Sequence, residues 1–171
     1  FPGASFKEIR GNVDTRLKKL SDGEYDAIVL AKAGLDRLGA ELSDYDVKIF
    51  DTEEFIPAPC QGIIAVECRA DDCEVLSLLE KINDEPTRLR FEIERRVFAG
   101  IEADCSMAVG VHAVVSETPG DRNAQPSEAG KQDSRRMKVS AMLEEKRIDK
   151  EFAIHDMDSA VEEITRYLLE R

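Results

Sequence analysis

The sequence predicts two architectures in series: an incomplete α/β unit over residues 1–55, then a small α+β unit over residues 83–171. Three observations predict this. Strand-like and helical stretches alternate through the first fifty residues around one continuous apolar run, "YDAIVLA" (25–31). A proline-punctuated stretch, "EEFIPAPCQG" (53–62), then breaks the alternation. Beyond it, amphipathic helices bracket three runs of period-two polarity, the pattern of helices laid against a three-stranded antiparallel sheet.

Taken in order, "ASFKEIR" (4–10) reads as a strand, "DTRLKKL" (14–20) as a short helix, 25–31 as a buried parallel strand, "AGLDRLG" (33–39) as a helical turn and "VKIFD" (47–51) as a further strand. "GIIAVECRA" (62–70) returns to strand character. Asp71 or Asp72 caps the helix "DDCEVLSLLEKIN". Asp84 and Pro86 open a long helix in which Leu89, Ile93, Val97 and Ile101 share a face and Gly100 serves as terminator. Strands follow at 108–116, 136–145 and 147–155, with a Gly-, Pro- and polar-rich insertion between the first two. A last helix carries Met157, Val161, Ile164 and Leu168 in one stripe. The C-terminal unit can bury its own core; the first 55 residues cannot, because two or three strands leave open apolar edges.

Composition narrows the function. The 171 residues carry 36 acidic against 24 basic side chains, a net charge of −12. Such a surface repels nucleic acid and anionic lipid, so neither is expected as a partner. No apolar run approaches the roughly 20 residues of a membrane span. Four cysteines occur without a CxxC pair, so no metal site and no disulfide framework is expected, and a reduced cytoplasmic setting follows. The chain opens Phe1-Pro2-Gly3 with a strand almost at once, which reads as a fragment or processed product. No Walker or GxGxxG motif is present.

Small anions remain open as ligands, because fields are screened within about 8 Å and a local arginine cluster outweighs the global sign. Arg10 and Arg16 flank "GNVDT" at a strand-to-helix join, and Arg37 lies past the end of the apolar run. Guanidinium forks and helix-start N–H groups suit carboxylates or phosphates; ordinary surface arginines are the bland alternative. Cys105, in "IEADCSMAVG" between helix and strand, reads as packing filler, half of a disulfide, a metal ligand or an attachment point. His112 and His155 are lone histidines with no chemical role assigned.

Three segments in register, "IRGNVDTRLKKLSDGEYDAIVLAKAGLDRLG", "IPAPCQGIIAVECRADD" and "ERRVFAGIEADCSMAVG", resemble the porphobilinogen deaminase (hydroxymethylbilane synthase) family. The resemblance runs from about residue 5 to 115 and more weakly to the end. It implies a transferase of porphyrin and heme biosynthesis that joins four porphobilinogen molecules, with ammonia release, into hydroxymethylbilane. It implies a dipyrromethane cofactor held as a covalent thioether on Cys105, and primer and substrate carboxylates held by Arg10, Arg16 and Arg37. Small neighbours Ala103, Ala108 and Gly110 would leave room for the primer.

The resemblance also implies the C-terminal part of a three-domain enzyme. Residues 1–55 would be the latter part of a periplasmic-binding-protein-like second α/β domain. Residues 56–82 would return to the first domain, and 83–171 would form the α+β domain bearing the primer cysteine. The catalytic aspartate is expected in the absent N-terminal portion, which becomes a required partner, so the chain alone is expected to be inactive. Three departures stand out: Ala103-Asp104 where two glycines usually precede the cysteine, Cys60 where glycine is usual, and Ala108 where proline is usual. The rival reading, from another class, is a non-catalytic α+β ligand-binding or protein-interaction module with Cys105 buried.

Overall fold

The computed structural model describes residues 3–102, 107–116 and 135–170. The chain forms two compact units, Phe1–Phe50 and Asp51–Arg171, each taken here by itself.

In the first unit, α1 (Val13–Ser21) starts where Asn12 accepts a hydrogen bond from the Thr15 N–H at 2.9 Å, satisfying one orphan donor of the first turn. Asp14 in the first turn and Lys18 and Lys19 in the last complement the helix dipole. Gly39 stops α2 (Lys32–Leu38) by taking the left-handed conformation, φ 59°. The Tyr25 hydroxyl donates to the Glu8 carbonyl at 2.7 Å, and the Tyr45 and Ser21 hydroxyls meet at 2.7 Å.

The strands expected at 4–10, 25–31 and 47–51 do not form as a ladder; these stretches carry no strand pairing, and Val29 stays 67 % exposed. The strand expected at 62–70 in the second unit fares the same, with Ile64 82 % exposed. Apolar runs of this kind belong to sheets buried on both faces. A strand ladder needs flanking strands to pair with, and composition alone cannot supply them.

In the second unit, Asp72 caps α3 (Cys73–Leu79), accepting from the Val75 N–H, and a 3-10 turn Glu80–Ile82 follows. Asp84 caps α4 (Glu85–Gly100) through the Thr87 N–H at 2.9 Å, with Pro86 in the first turn, where its missing N–H removes no helix bond. Three antiparallel strands, β1 (Val109–Ser116), β2 (Arg136–Leu143) and β3 (Lys146–Ala153), lie in the order β1-β2-β3. Their register pairs Ala113 with Val139 and Met137 with Phe152. These side chains share one face and are buried with the α4 stripe Leu89, Ile93, Val97 and Ile101 and with α5 (Met157–Leu169). Burying such side chains at about 1.5–3 kcal/mol each is what holds an α+β unit of this size together. Within α5 the predicted stripe holds at Met157, Ile164 and Leu168, while Val161 is half-buried and Ala160 fills the core instead.

Gly100 has a reason other than termination. It is the last residue of α4, and the left-handed turn falls two residues on, at Glu102, φ 48°. A Cβ on Gly100 would stand 2.9 Å from Thr165 Oγ1, so glycine lets α4 and α5 approach closely.

The outer face of the sheet is crossed by residues 53–60. Arg147 donates to the Glu53 carbonyl at 2.6 Å and Lys138 pairs with the Glu53 carboxylate. Farther along, Ile56 is buried against Gly110, and the Val111 N–H donates to the Pro57 carbonyl at 3.0 Å. The strap therefore runs from β3 over β2 to the free edge of β1, which it blunts as an unpaired sheet edge requires. Among the described residues no helix is long and apolar enough to cross a membrane.

Candidate functional site

Two of the cationic candidates, Arg10 and Arg16, lie at the turn that opens α1. Arg16 Nε donates to the Gly11 carbonyl at 2.7 Å, folding its guanidinium back over the turn that Arg10 enters. Arg10 is 88 % exposed and pairs with Glu8 at 3.1 Å, an interaction that water and salt weaken. Lys19 donates to the Arg10 carbonyl at 3.3 Å. Lys19 was not among the predicted residues; its helical spacing from Arg16, i to i+3, was the available signal.

Gly11 makes this arrangement possible. Its φ is 123°, and a Cβ there would stand 2.7 Å from the Thr15 side chain, which itself donates to Asn12. Around this turn Arg16 folds back on the Gly11 carbonyl and the Lys19 ammonium reaches the Arg10 carbonyl, while the Arg10 guanidinium faces Glu8; guanidinium forks of this kind suit planar carboxylates. Arg37, exposed in the last turn of α2, is joined to neither arginine by a hydrogen bond.

Cys105, with Ala103 and Asp104, lies outside the described residues. The structure reaches the loop from both sides, at Glu102 and at Met107. On the far side, the Ala108 carbonyl accepts from the Glu144 N–H at 2.9 Å, tying the chain before β1 to the β2–β3 turn. The expectation that Gly110 leaves room for the primer is corrected. A Cβ at Gly110 would meet the Ile56 carbonyl oxygen at 2.9 Å, so that space is filled by the strap's own backbone.

A residue that the sequence reading missed stands beside this strand. Glu94 of α4 is 2 % exposed, yet its carboxylate accepts from the Ala113 N–H at 2.8 Å and from the Cys60 N–H at 2.6 Å. Burial pushes its pKa above the ordinary glutamate value, against the two backbone donors and Arg90, which pull it down. His112 Nδ1 lies 3.9 Å away, but burial and Arg90 push the imidazole pKa down, favouring its neutral form, so this is not an ion pair. Cys60 itself has φ 62°, a conformation that disfavours any side chain, and its thiol pKa is raised by burial and then by Glu94. Cys60, Cys68 and Cys73 are free thiols.

The sign of the Glu94 shift gives a measurable result. A carboxyl whose folded pKa is raised adds stability below its unfolded value, near 4.5, and loses it as pH climbs through the folded value. Because Gln does not titrate, the stability of the chain relative to Glu94→Gln will decline over that window in urea titrations at successive pH values. A difference that is flat or rises with pH contradicts the burial.

Comparison with known proteins identifies the class first. Residues 1–77 match the family model described as "Porphobilinogen deaminase, dipyromethane cofactor binding domain". The chain is 49 % identical over 113 residues to a porphobilinogen deaminase of Streptococcus sanguinis, covering 66 % of this chain and 37 % of that protein. It is 49 % identical over 117 residues to a probable porphobilinogen deaminase of Methanocaldococcus jannaschii (68 % and 39 %) and 50 % identical over 114 to the Coxiella burnetii protein (67 % and 36 %). Over these matched stretches the chain is similar to porphobilinogen deaminases. It spans less than two-fifths of the length of these relatives.

Proposed function

We propose that this chain is the C-terminal portion of a porphobilinogen deaminase, a transferase that joins four porphobilinogen molecules into hydroxymethylbilane with release of ammonia. The observation that carries the reading is the turn at Arg10–Arg16, where Arg16 folds onto the Gly11 carbonyl and Lys19 reaches the Arg10 carbonyl, in a chain of net charge −12. Each pyrrole unit brings carboxylates, and only local cations make their accumulation tolerable.

In this reading Cys105 holds the dipyrromethane primer through a thioether. The primer, when bound, supplies the nucleophilic pyrrole end to which units are added. This chain's residues bind and orient it. Arg16, anchored on the Gly11 carbonyl, presents a fixed fork, and Arg10 exchanges its exposed Glu8 partner for a substrate carboxylate. Arg37, which has no ion-pair partner among the described residues, is available to a further carboxylate. The catalytic aspartate is placed in the N-terminal portion of the enzyme.

The domain assignment belongs to the same proposal: 1–55 as the latter part of a second α/β domain, 56–82 returning to the first, and 83–171 as the primer-bearing domain. Exposed Val29, Ile64 and Val66, in apolar stretches without strand pairing, support it, as does the share of the relatives' length that the chain spans. A reduced cytoplasmic setting is supported by the free thiols.

The test joins the chain to the family's N-terminal portion and measures intact mass, the Ehrlich colour reaction and hydroxymethylbilane formation. The expected result is a dipyrromethane increment on the Cys105 peptide and activity only in the joined protein. An active, properly folded joined protein whose Cys105 peptide is bare refutes the tether, and synthesis by the 171-residue chain alone refutes its dependence on the N-terminal portion.

A further inference from the structure

Among the described residues, one buried ionisable side chain is not used by the proposed chemistry, and its position is specific. Glu94 projects from α4 to the free edge of β1. There it meets an edge N–H, that of Ala113, and the N–H of Cys60 at the far end of the strap. The strap's beginning is held separately, by Arg147 and Lys138 on Glu53, and its middle by the Val111 N–H on the Pro57 carbonyl. The far end is held by a side chain of α4.

We infer that Glu94 is a carboxylate latch, fastening the Cys60 end of the strap to the edge of β1 so that residues 57–61 release locally when the latch is lost. Two features make the release local. Cys60 is held in a left-handed conformation that its Cβ disfavours, so the unfastened segment relaxes away from the latched geometry. Losing the acceptor also leaves two N–H groups without partners, and both regain water only if the strap lifts.

The charged and titratable groups facing the latch are Arg90 on its own helix, His112 on β1 and Cys60 on the strap. None donates a side-chain hydrogen bond to the carboxylate. The latch is therefore a backbone-to-carboxylate device. The inference stands on this geometry and not on the enzymatic reading.

The test uses the whole 171-residue chain and reads amide hydrogen exchange by NMR in the native protein, Glu94→Ala and Glu94→Gln. In Glu94→Ala the Cys60 and Ala113 amides will exchange at least tenfold faster, Val111 will follow to a smaller extent, and the β2 amide of Val139 will keep its native rate. Glu94→Gln retains one acceptor oxygen and turns an NH2 toward the other donor, so one of the two amides will lose protection while the other keeps it. Alkylation of Cys60 relative to exposed Cys73 will rise at least threefold in Glu94→Ala. Native rates at both amides in either variant overturn the latch. So does a uniform acceleration that includes Val139, or failure of Glu94→Gln to fold, because each makes the effect global.

Discussion

Gly110→Val will destabilise the second unit by about 3 kcal/mol, the upper part of the range for forcing atoms into packed space. Most overpacked positions relax by turning a neighbouring side chain, but here the first atom met is the Ile56 carbonyl oxygen, at 2.9 Å from where a Cβ would stand. Backbone gives way only if the strap leaves β1, breaking the Val111 to Pro57 hydrogen bond and uncovering Ile56. Urea unfolding of the 171-residue chain measures it as a lowered midpoint with an unchanged slope. A variant within 0.5 kcal/mol of the native chain, roughly the tolerance of ordinary surface positions, would show that the strap does not press on this glycine.

Arg16→Leu will abolish most of the activity of the joined enzyme while scarcely changing its stability. The guanidinium makes one described hydrogen bond, to the exposed Gly11 carbonyl, and water replaces that acceptor's partner at little cost. Its proposed ligand is different: a carboxylate held by a charged fork is worth about 1.5–3 kcal/mol, or roughly ten- to a hundredfold in rate. Arg16→Lys keeps the charge without the fork and will fall between. Equal losses of stability and activity across the two variants would make Arg16 a residue of the turn alone.

The C-terminal unit was legible because its signals are local. Asp84 and Pro86 mark a helix start, the Leu89–Ile101 stripe marks its buried face, and three alternating runs mark the sheet. The apolar runs 25–31 and 62–70 misled because composition reports what a segment can bury, not whether neighbours exist to pair with it. Gly100 and Gly110 misled in another way: a glycine required by close approach looks the same in sequence as one required by a turn or by a ligand.

Glu94 was overlooked because a stripe of residues four apart drifts by roughly 40° per step around an α-helix. By Ile101 the buried face has rotated far enough that Glu94 lies only about 20° beyond it. A charged residue one step outside a strict four-residue spacing is therefore on the margin of the core. What it does there depends on strand-edge donors that only the folded chain brings within reach.

Ile64, Val66, Leu78 and Ile82 all stay exposed in the second unit. Water ordering around exposed apolar side chains makes self-association favourable on warming and weaker on chilling. Preparations of the 171-residue chain will therefore turn cloudy when concentrated at 37 °C and clear again on ice, and light scattering through a temperature cycle will follow both directions.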